Sequence, residues 1–374
     1  MKSKIDFPWK YSEIIERLHN IQPGNYAGSR NFIDGSVSYL SPYIARGVIS
    51  TKQVMQFVLE KDLKSYRVSK FLQELAWRDY FQRVHQSLGD KIMDDIKYPQ
   101  QGAVHKQMPA AVYNAATGIR SLDNLIKQLY KTGYMHNHVR MYTASVTCNV
   151  GKVYWLQPSR WLYYHLMDGD IASNTCNWQW ISGAFSWKKY FCNQANVNRY
   201  THSKQKDTIL DKPYAELVKM NIPEVLKKTI RISPQTKFPA YQALNIDTGK
   251  PTLIYNSYNL DPLWRKAEDV NRVLLLEPSH FKNYPVSNKV TDFVLKLSKN
   301  IKNISIYTGE VNDISKLYKT KKAINKNIIS KEHPAFIHYP GIKDERDWMF
   351  PEVEGYYSSY SLYWKKAKKF LKKE

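Results

Sequence analysis

The residues from 168 to 180 put Asp168, Gly169, Asp170, Asn174, Asn177, Trp178, Gln179 and Trp180 into one short run. Two carboxylates separated by one glycine repel each other unless donors or a cation stand close, so this spacing predicts a site more than a plain core helix. A second polar run lies upstream, Gly133-Tyr134-Met135-His136-Asn137-His138-Val139-Arg140-Met141. Asn137 and Arg140 are three apart there, hence on one face of a helix.

These residues need a scaffold, and the pattern supplies helices. Apolar positions recur at helical spacing in Val54, Met55, Phe57 and Val58, in Phe71, Leu72, Leu75, Ala76 and Tyr80, and in Leu122, Leu125, Ile126 and Leu129. Ser121 suits a helix start and Gly133 an interruption, while Pro42, Pro99, Pro109 and Pro158 mark turns or first helical turns. Residues 1–235 therefore read as one helical domain. Beyond residue 250 the texture changes: 252–255, 273–276 and 304–307 are short apolar runs with strand character, and 288–297 is helix-like. That alternation predicts a small α/β domain over 250–374 with at least partly parallel strands, joined through a linker at 234–250. The fold class expected is mainly α, with a smaller α/β domain following. The run 363–373 reads as a basic amphipathic helix with Trp364, Phe370 and Leu371 docked inward.

The 374 residues carry 56 Lys+Arg against 33 Asp+Glu, a net charge of +23. Such an excess gathers polyanions, so nucleic acid is the natural partner and an anionic membrane surface the rival. Cys148, Cys176 and Cys192 have no close C-x-x-C spacing, which disfavours a disulfide framework and any metal or iron–sulfur site. There is no signal-like N-terminal apolar run and no stretch of about 18 apolar residues, so the expectation is a cytoplasmic protein with no membrane span.

Taken in order, an N-x-x-R helix (Asn137, Arg140), a tryptophan (Trp155), D-G-D (168–170), Asn174 and W-Q-W (178–180), the chain resembles the flavin-binding core of the DNA photolyase/cryptochrome family over about residues 25–210. The resemblance implies FAD as cofactor. Asn137, Arg140, Asp168, Asp170 and Asn174 match the positions that hold the isoalloxazine ring and ribityl chain, with Arg140 pairing with Asp168 to keep that carboxylate ionised. Tyr26, Ser38, Tyr39, Leu40 and Ser41 fall in the segment resembling the diphosphate site, where hydroxyls lead into a helix N-terminus; Val37 stands where a threonine is common. Asn174 matches the residue facing N5 of the flavin, and Trp178 and Trp155 the first two members of an electron-transfer chain. No third tryptophan is evident: either Tyr98, Tyr113 or another aromatic substitutes, or photoreduction of the flavin is poor. Glu74 and Trp77 match the residues that bond and stack on damaged bases, with Met141 and Trp180 as further pocket walls. Arg30 and Arg78 would meet phosphates, and His138 replaces a usual arginine.

The function implied is light-driven repair of pyrimidine dimers in single- or double-stranded DNA by a monomeric, metal-free, deoxyribodipyrimidine photolyase-like carbon–carbon lyase. The alternative is a cryptochrome-like blue-light photoreceptor that keeps FAD and repairs nothing. A flavin-free basic nucleic-acid-binding protein is the third reading.

Overall fold

The computed structural model describes residues 5–61, 63–240 and 242–371; Lys372 and Lys373, the end of the basic run, lie outside them. Its contacts divide the chain into two compact units that interleave along the sequence. One comprises Met1–Ile21, Ser38–Gly89 and Gln235–Glu374, and the other Gln22–Val37 and Asp90–Pro234.

The first unit is built on five parallel strands in the spatial order Ile304–Thr308, Asn271–Leu276, Thr252–Tyr255, Ile328–Lys331, Ile342–Asp344. Thr252–Tyr255 is central and buried at all four positions, as a strand covered on both faces must be. Ile304–Thr308 and Ile342–Asp344 form the edges. The apolar runs at 252, 273 and 304 became strands as expected. The last two strands were not read from the sequence, because Ile328-Ile329 and Ile342 are too short to stand out from their polar neighbours.

Segments from the front of the chain belong to this unit for a packing reason. The Ser65–Leu88 helix buries Phe71, Leu72, Ala76, Asp79 and Tyr80. The buried Asp79 carboxylate accepts from the Thr51 hydroxyl at 2.7 Å and from the Met349 backbone N–H at 2.9 Å. Trp348 lies under the guanidinium groups of Arg83 (3.6 Å) and Arg346 (4.3 Å), and Trp77 stacks on Tyr360 with centroids 3.7 Å apart. Nearer the N-terminus, the Asn300 side chain accepts from the Tyr11 backbone N–H and donates to the Trp9 carbonyl. The 1–235 segment therefore does not fold as one block: residues 1–21 and 38–89 group with the sheet.

The C-terminal helix Tyr360–Ala367 buries Tyr363 and Ala367, four apart, while Trp364 and Leu371 are half-buried. Phe370 is exposed, contrary to the inward position expected of it. The backbone tightens into a 3₁₀ turn at Lys368–Phe370, which takes that side chain off the buried face.

The second unit is helical. Arg120–Thr132, Asn137–Ala144, Leu156–His165, Ile171–Ser182 and Gln194–Thr201 contribute to one apolar core, and a short antiparallel pair, Met108–Pro109 with Thr229–Ile230, ties its ends. Arg120–Thr132 buries Leu122, Ile126 and Leu129 at the expected spacing and ends at Gly133 with φ +70°, a left-handed cap that a side chain adopts poorly. None of the described helices is long and apolar enough to cross a membrane.

Asp79→Ala strands the Thr51 hydroxyl and the Met349 N–H, each of which costs about 1–3 kcal/mol when buried without a partner. Urea unfolding of this variant is expected to show a loss of that order, against little change for the exposed Lys365→Ala.

Candidate functional site

The helical unit opens into a cleft between Asn137–Ala144, Leu156–His165 and Ile171–Ser182. Ala144, Leu162, Leu166, Ile181 and Trp178 give it an apolar floor, and Asn137, Arg140, Asp168, Asp170, Ser173, Asn174 and Asn177 give it a polar rim. A flat molecule with an apolar body and a hydrogen-bonding edge suits such a lining.

Arg140 and Asp168 make the rim's central contact. One guanidinium nitrogen reaches both carboxylate oxygens of Asp168 at 3.0 and 2.8 Å, and Arg140 Nε donates to the Met135 carbonyl at 2.8 Å. The Asp168 side chain is 4% exposed and that of Arg140 21%, so the pair is largely out of water. The turn before the Ile171–Ser182 helix explains the intervening glycine: a Cβ at Gly169 would sit 2.9 Å from the Leu166 carbonyl and 3.0 Å from that of Tyr163. Asp170 caps the helix, accepting from the Ser173 N–H at 2.7 Å. One turn on, Asn174 Nδ2 donates to the Ser159 carbonyl at 2.9 Å.

Immediately after Asn137–Ala144 the chain forms a π-helical turn, Ser145–Val150. Such turns widen a helix by one residue and recur at functional sites. Asn149 in this turn donates to the carbonyls of Ile181 and Tyr190.

Of the residues the sequence singled out, Asn137, Arg140, Met141, Asp168, Asp170, Asn174 and Trp178 line the cleft together. Trp155 lies fully buried in the adjoining core. Trp180 is two residues beyond Trp178, hence on the other side of the helix, and stacks on Tyr190 at 5.9 Å. His138 packs edge-on against Tyr142 (4.9 Å) and Tyr200 (4.7 Å). Burial, then the nearby Arg30, pushes its pKa down to about 4, so it is neutral at pH 7. Its buried Nε2 has no partner among the described residues. His136, whose Nδ1 accepts from the His138 backbone N–H, is likewise pushed down to about 4, by burial first and then by His138 and Arg140. Tyr26 is on the Pro23–Ser29 helix of the same unit, and Arg30 directly follows it, donating to the Ala27 carbonyl.

The other candidates belong to the sheet-bearing unit. Ser38 Oγ accepts from the Leu40 N–H at 3.4 Å, Leu40 is buried, and Ser41 opens a short helix. Tyr39 between them has φ +54°, a strained conformation for a residue with a side chain. Glu74 pairs with Lys70 at 2.8 Å, and one face of Trp77 is covered by Tyr360. Trp77 and Arg78 are half-buried.

Residues 71–242 match the family model described as the FAD binding domain of DNA photolyase. Over that segment, somewhat under half of the chain, the sequence is similar to the FAD-binding domain of the photolyase/cryptochrome family. Deoxyribodipyrimidine photo-lyase of Alkalihalophilus pseudofirmus is 35% identical over 164 residues, which cover 42% of this chain and 34% of that protein. The Escherichia coli protein of the same name is 32% identical over 172 residues, 42% of this chain and 35% of its own. The chain thus spans about a third of the length of the curated relatives it matches. A cryptochrome structure from Synechocystis aligns over 52% of this chain and 44% of its own with a TM-score of 0.46 and 22% identity.

The cleft's donor set fits the flavin end of such a cofactor. The buried hydroxyl of Ser173 in the cleft wall has no partner among the described residues, and a ligand edge would satisfy it. Arg140, Asp168, Asp170 and Asn174 would hold the polar edge, and Leu162, Leu166 and Trp178 the ring faces.

Sequence reasoning passed over Ser173 and two structural residues. Gln179 is wholly buried, donating to the carbonyls of Ile92 and Asp94 and accepting from the Ile96 N–H. Asp95 accepts from the Trp155 indole N–H at 2.6 Å. The middle letter of W-Q-W was a usable signal for Gln179, since a glutamine next to a buried tryptophan needs partners; Asp95 carried none. No described group of His, Cys, Asp and Glu side chains is arranged to hold a metal ion, and the three cysteines are buried and unpaired.

Two outcomes follow from these contacts. Arg140→Ala leaves Asp168 buried and uncompensated, a change worth about 3–5 kcal/mol, to be read in the denaturant midpoint. The second concerns acid. His136 and His138 have folded pKa values near 4, below the ordinary 6.5, so the unfolded chain binds more protons between those values. Stability is full above pH 6.5 and falls as pH drops toward 4; the double variant His136→Asn/His138→Asn should flatten that slope in urea melts across this range.

Proposed function

We propose that this protein is a flavin-dependent, light-driven DNA repair enzyme, a deoxyribodipyrimidine photolyase-like carbon–carbon lyase that binds FAD in the cleft of its helical unit. The observation that carries this reading is the Arg140–Asp168 clamp beside an apolar floor and the unsatisfied Ser173 hydroxyl, all inside the segment that matches the FAD-binding domain. Reduced FAD supplies light absorption and a transferable electron. Asn137 and Asn174 offer amides that donate or accept without titrating, and Asp170 remains tied to the helix start it caps. Leu162, Leu166 and Ile181 keep water from the ring.

DNA is the proposed partner, single- or double-stranded. The +23 net charge draws the strand in. Met141 at the cleft lends an apolar wall, Arg30 and Arg78 phosphate contacts, and Trp180 a flat surface. Glu74 and Trp77 are assigned to the damaged bases, for hydrogen bonding and stacking respectively. Ser38, Tyr39, Leu40, Ser41 and Tyr26 are assigned to the diphosphate; the strained backbone at Tyr39 supports a functional role for that segment. The buried, unpaired cysteines support a reducing, cytoplasmic setting, and we take the active species as a monomer without metal.

A second reading, a blue-light photoreceptor of the cryptochrome kind, is favoured by two observations. His138 is neutral and packed between tyrosines rather than offered as a phosphate ligand, and Trp77 already stacks on Tyr360.

Illumination of the reduced, FAD-loaded protein with dimer-containing oligonucleotides separates the two. Repair predicts recovery of thymine with the parent, its loss in Glu74→Ala with flavin retained, and loss of flavin absorbance in Arg140→Ala. A loaded parent that recovers no thymine leaves the photoreceptor reading standing, and a colourless parent ends both.

A further inference from the structure

Tyr154 and Trp155 are neighbours in sequence and share one carboxylate oxygen. The Trp155 indole N–H donates to Asp95 Oδ1 at 2.6 Å, and the Tyr154 hydroxyl donates to the same atom at 3.0 Å. The two rings lie 5.7 Å apart, tilted by 43°. Trp155 is fully buried in the core that also holds Trp178, the tryptophan of the cleft wall, whereas Tyr154 is only half-buried. Asp95 is fixed in turn: its other oxygen accepts from the Gln100 backbone N–H at 2.9 Å. The Gln100 side chain accepts from the Trp155 backbone N–H (2.9 Å) and donates to the Val153 carbonyl (2.8 Å).

A phenol loses an electron far more readily when a base stands ready for the proton, because the oxidised phenol is a far stronger acid than the neutral one, whereas an indole can pass an electron on as a transient cation. An ionised carboxylate within hydrogen-bond reach meets that need, and here one carboxylate serves both rings. Lys106, with its ammonium 5.8 Å from the Tyr154 ring centre, disfavours a cationic ring and adds to the need for the proton to leave with the electron.

We propose that Tyr154 is the outermost electron donor of a Trp178–Trp155–Tyr154 relay, with Asp95 as its proton acceptor, in place of the third tryptophan that the sequence lacks. The inference rests on the FAD reading above. In the step, Tyr154 gives up one electron through Trp155 and Trp178 to a light-excited, oxidised flavin in the cleft. The Tyr154 O–H bond breaks, its proton passes to Asp95 Oδ1, and a neutral phenoxyl radical is left on Tyr154. Tyr154 is oxidised and the flavin reduced by one electron each. A thiol or other one-electron reductant in solution then restores Tyr154, and Asp95 returns the proton.

Three measurements on the full chain test this. Illumination of the oxidised, FAD-loaded protein followed by rapid freezing should give a tyrosyl electron paramagnetic resonance signal that narrows when ring-deuterated tyrosine is incorporated. Tyr154→Phe should move the signal to tryptophan, while Tyr98→Phe and Tyr113→Phe leave it in place. Asp95→Asn keeps acceptors for both donors but no base, and should slow tyrosyl formation by roughly a hundredfold, the lower end of what a positioned base contributes; Asp95→Glu should restore part of it. Independently of flavin, the Cζ resonance of Tyr154, found by its absence in Tyr154→Phe, should titrate near 12, where burial and Asp95 push it, and move down in Asp95→Asn. Titration like an ordinary phenol near 10, a tyrosyl signal that survives Tyr154→Phe, or a radical that stays on tryptophan in the parent would each overturn the relay alone. A chain that takes up no flavin overturns the relay together with the reading beneath it, and its absorption spectrum reveals this before any illumination.

Discussion

Asp168 is a carboxylate held almost wholly out of water, and the guanidinium of Arg140 is what makes that position tolerable. One group sits on a helix and the other in a turn 28 residues further on, so their pairing fixes where the Asn137–Ala144 helix lies against the turn that starts Ile171–Ser182. Much else in the helical unit follows from that register. Gly169 must be bare because two carbonyls crowd it, and Asp170 must cap because its helix begins there. Gly133 closes the preceding helix so that the Met167 N–H can reach its carbonyl at 2.8 Å. The cleft is the space left when these demands are met together, which is why its rim is polar and its floor apolar.

The candidate site was legible in the sequence where it rests on carboxylates, amides and aromatics at unusual density. Asp168, Asp170, Asn174 and Trp178 announce a need for partners whatever the fold, and the cleft gathers them with Asn137, Arg140 and Met141. Ser173 and Asp95 were not legible, because a single serine or aspartate looks the same whether it faces solvent or a buried indole. Trp178 and Trp180 were read as serving different places, the electron-transfer chain and the wall for damaged bases, and two residues along a helix do turn their side chains to opposite sides, Trp180 lying on Tyr190.

For the fold, local pattern carried the helices of both units and three of the five parallel strands. Domain membership was harder. Helical spacing in 71–80 says that one face is buried, not against what. The face of Ser65–Leu88 meets residues 348–360, with the Asp79–Met349 contact spanning 270 residues of sequence, and no periodicity encodes such a partner. The grouping of residues 38–89 with the parallel sheet is therefore a property of tertiary packing, where distant aromatic and ionic contacts decide.

That interleaving bears on how the chain is made. Residues 38–89 emerge from the ribosome well before residues 235–374, so the face of Phe71, Leu72, Ala76 and Tyr80 must wait for its distant partners while residues 90–234 are synthesised. Pairings between remote segments form slowly, and an apolar helix face exposed in the meantime is open to aggregation. A nascent chain of this design has reason to engage a chaperone early, and a stop anywhere before the last strands would leave an orphaned helix rather than a smaller working protein.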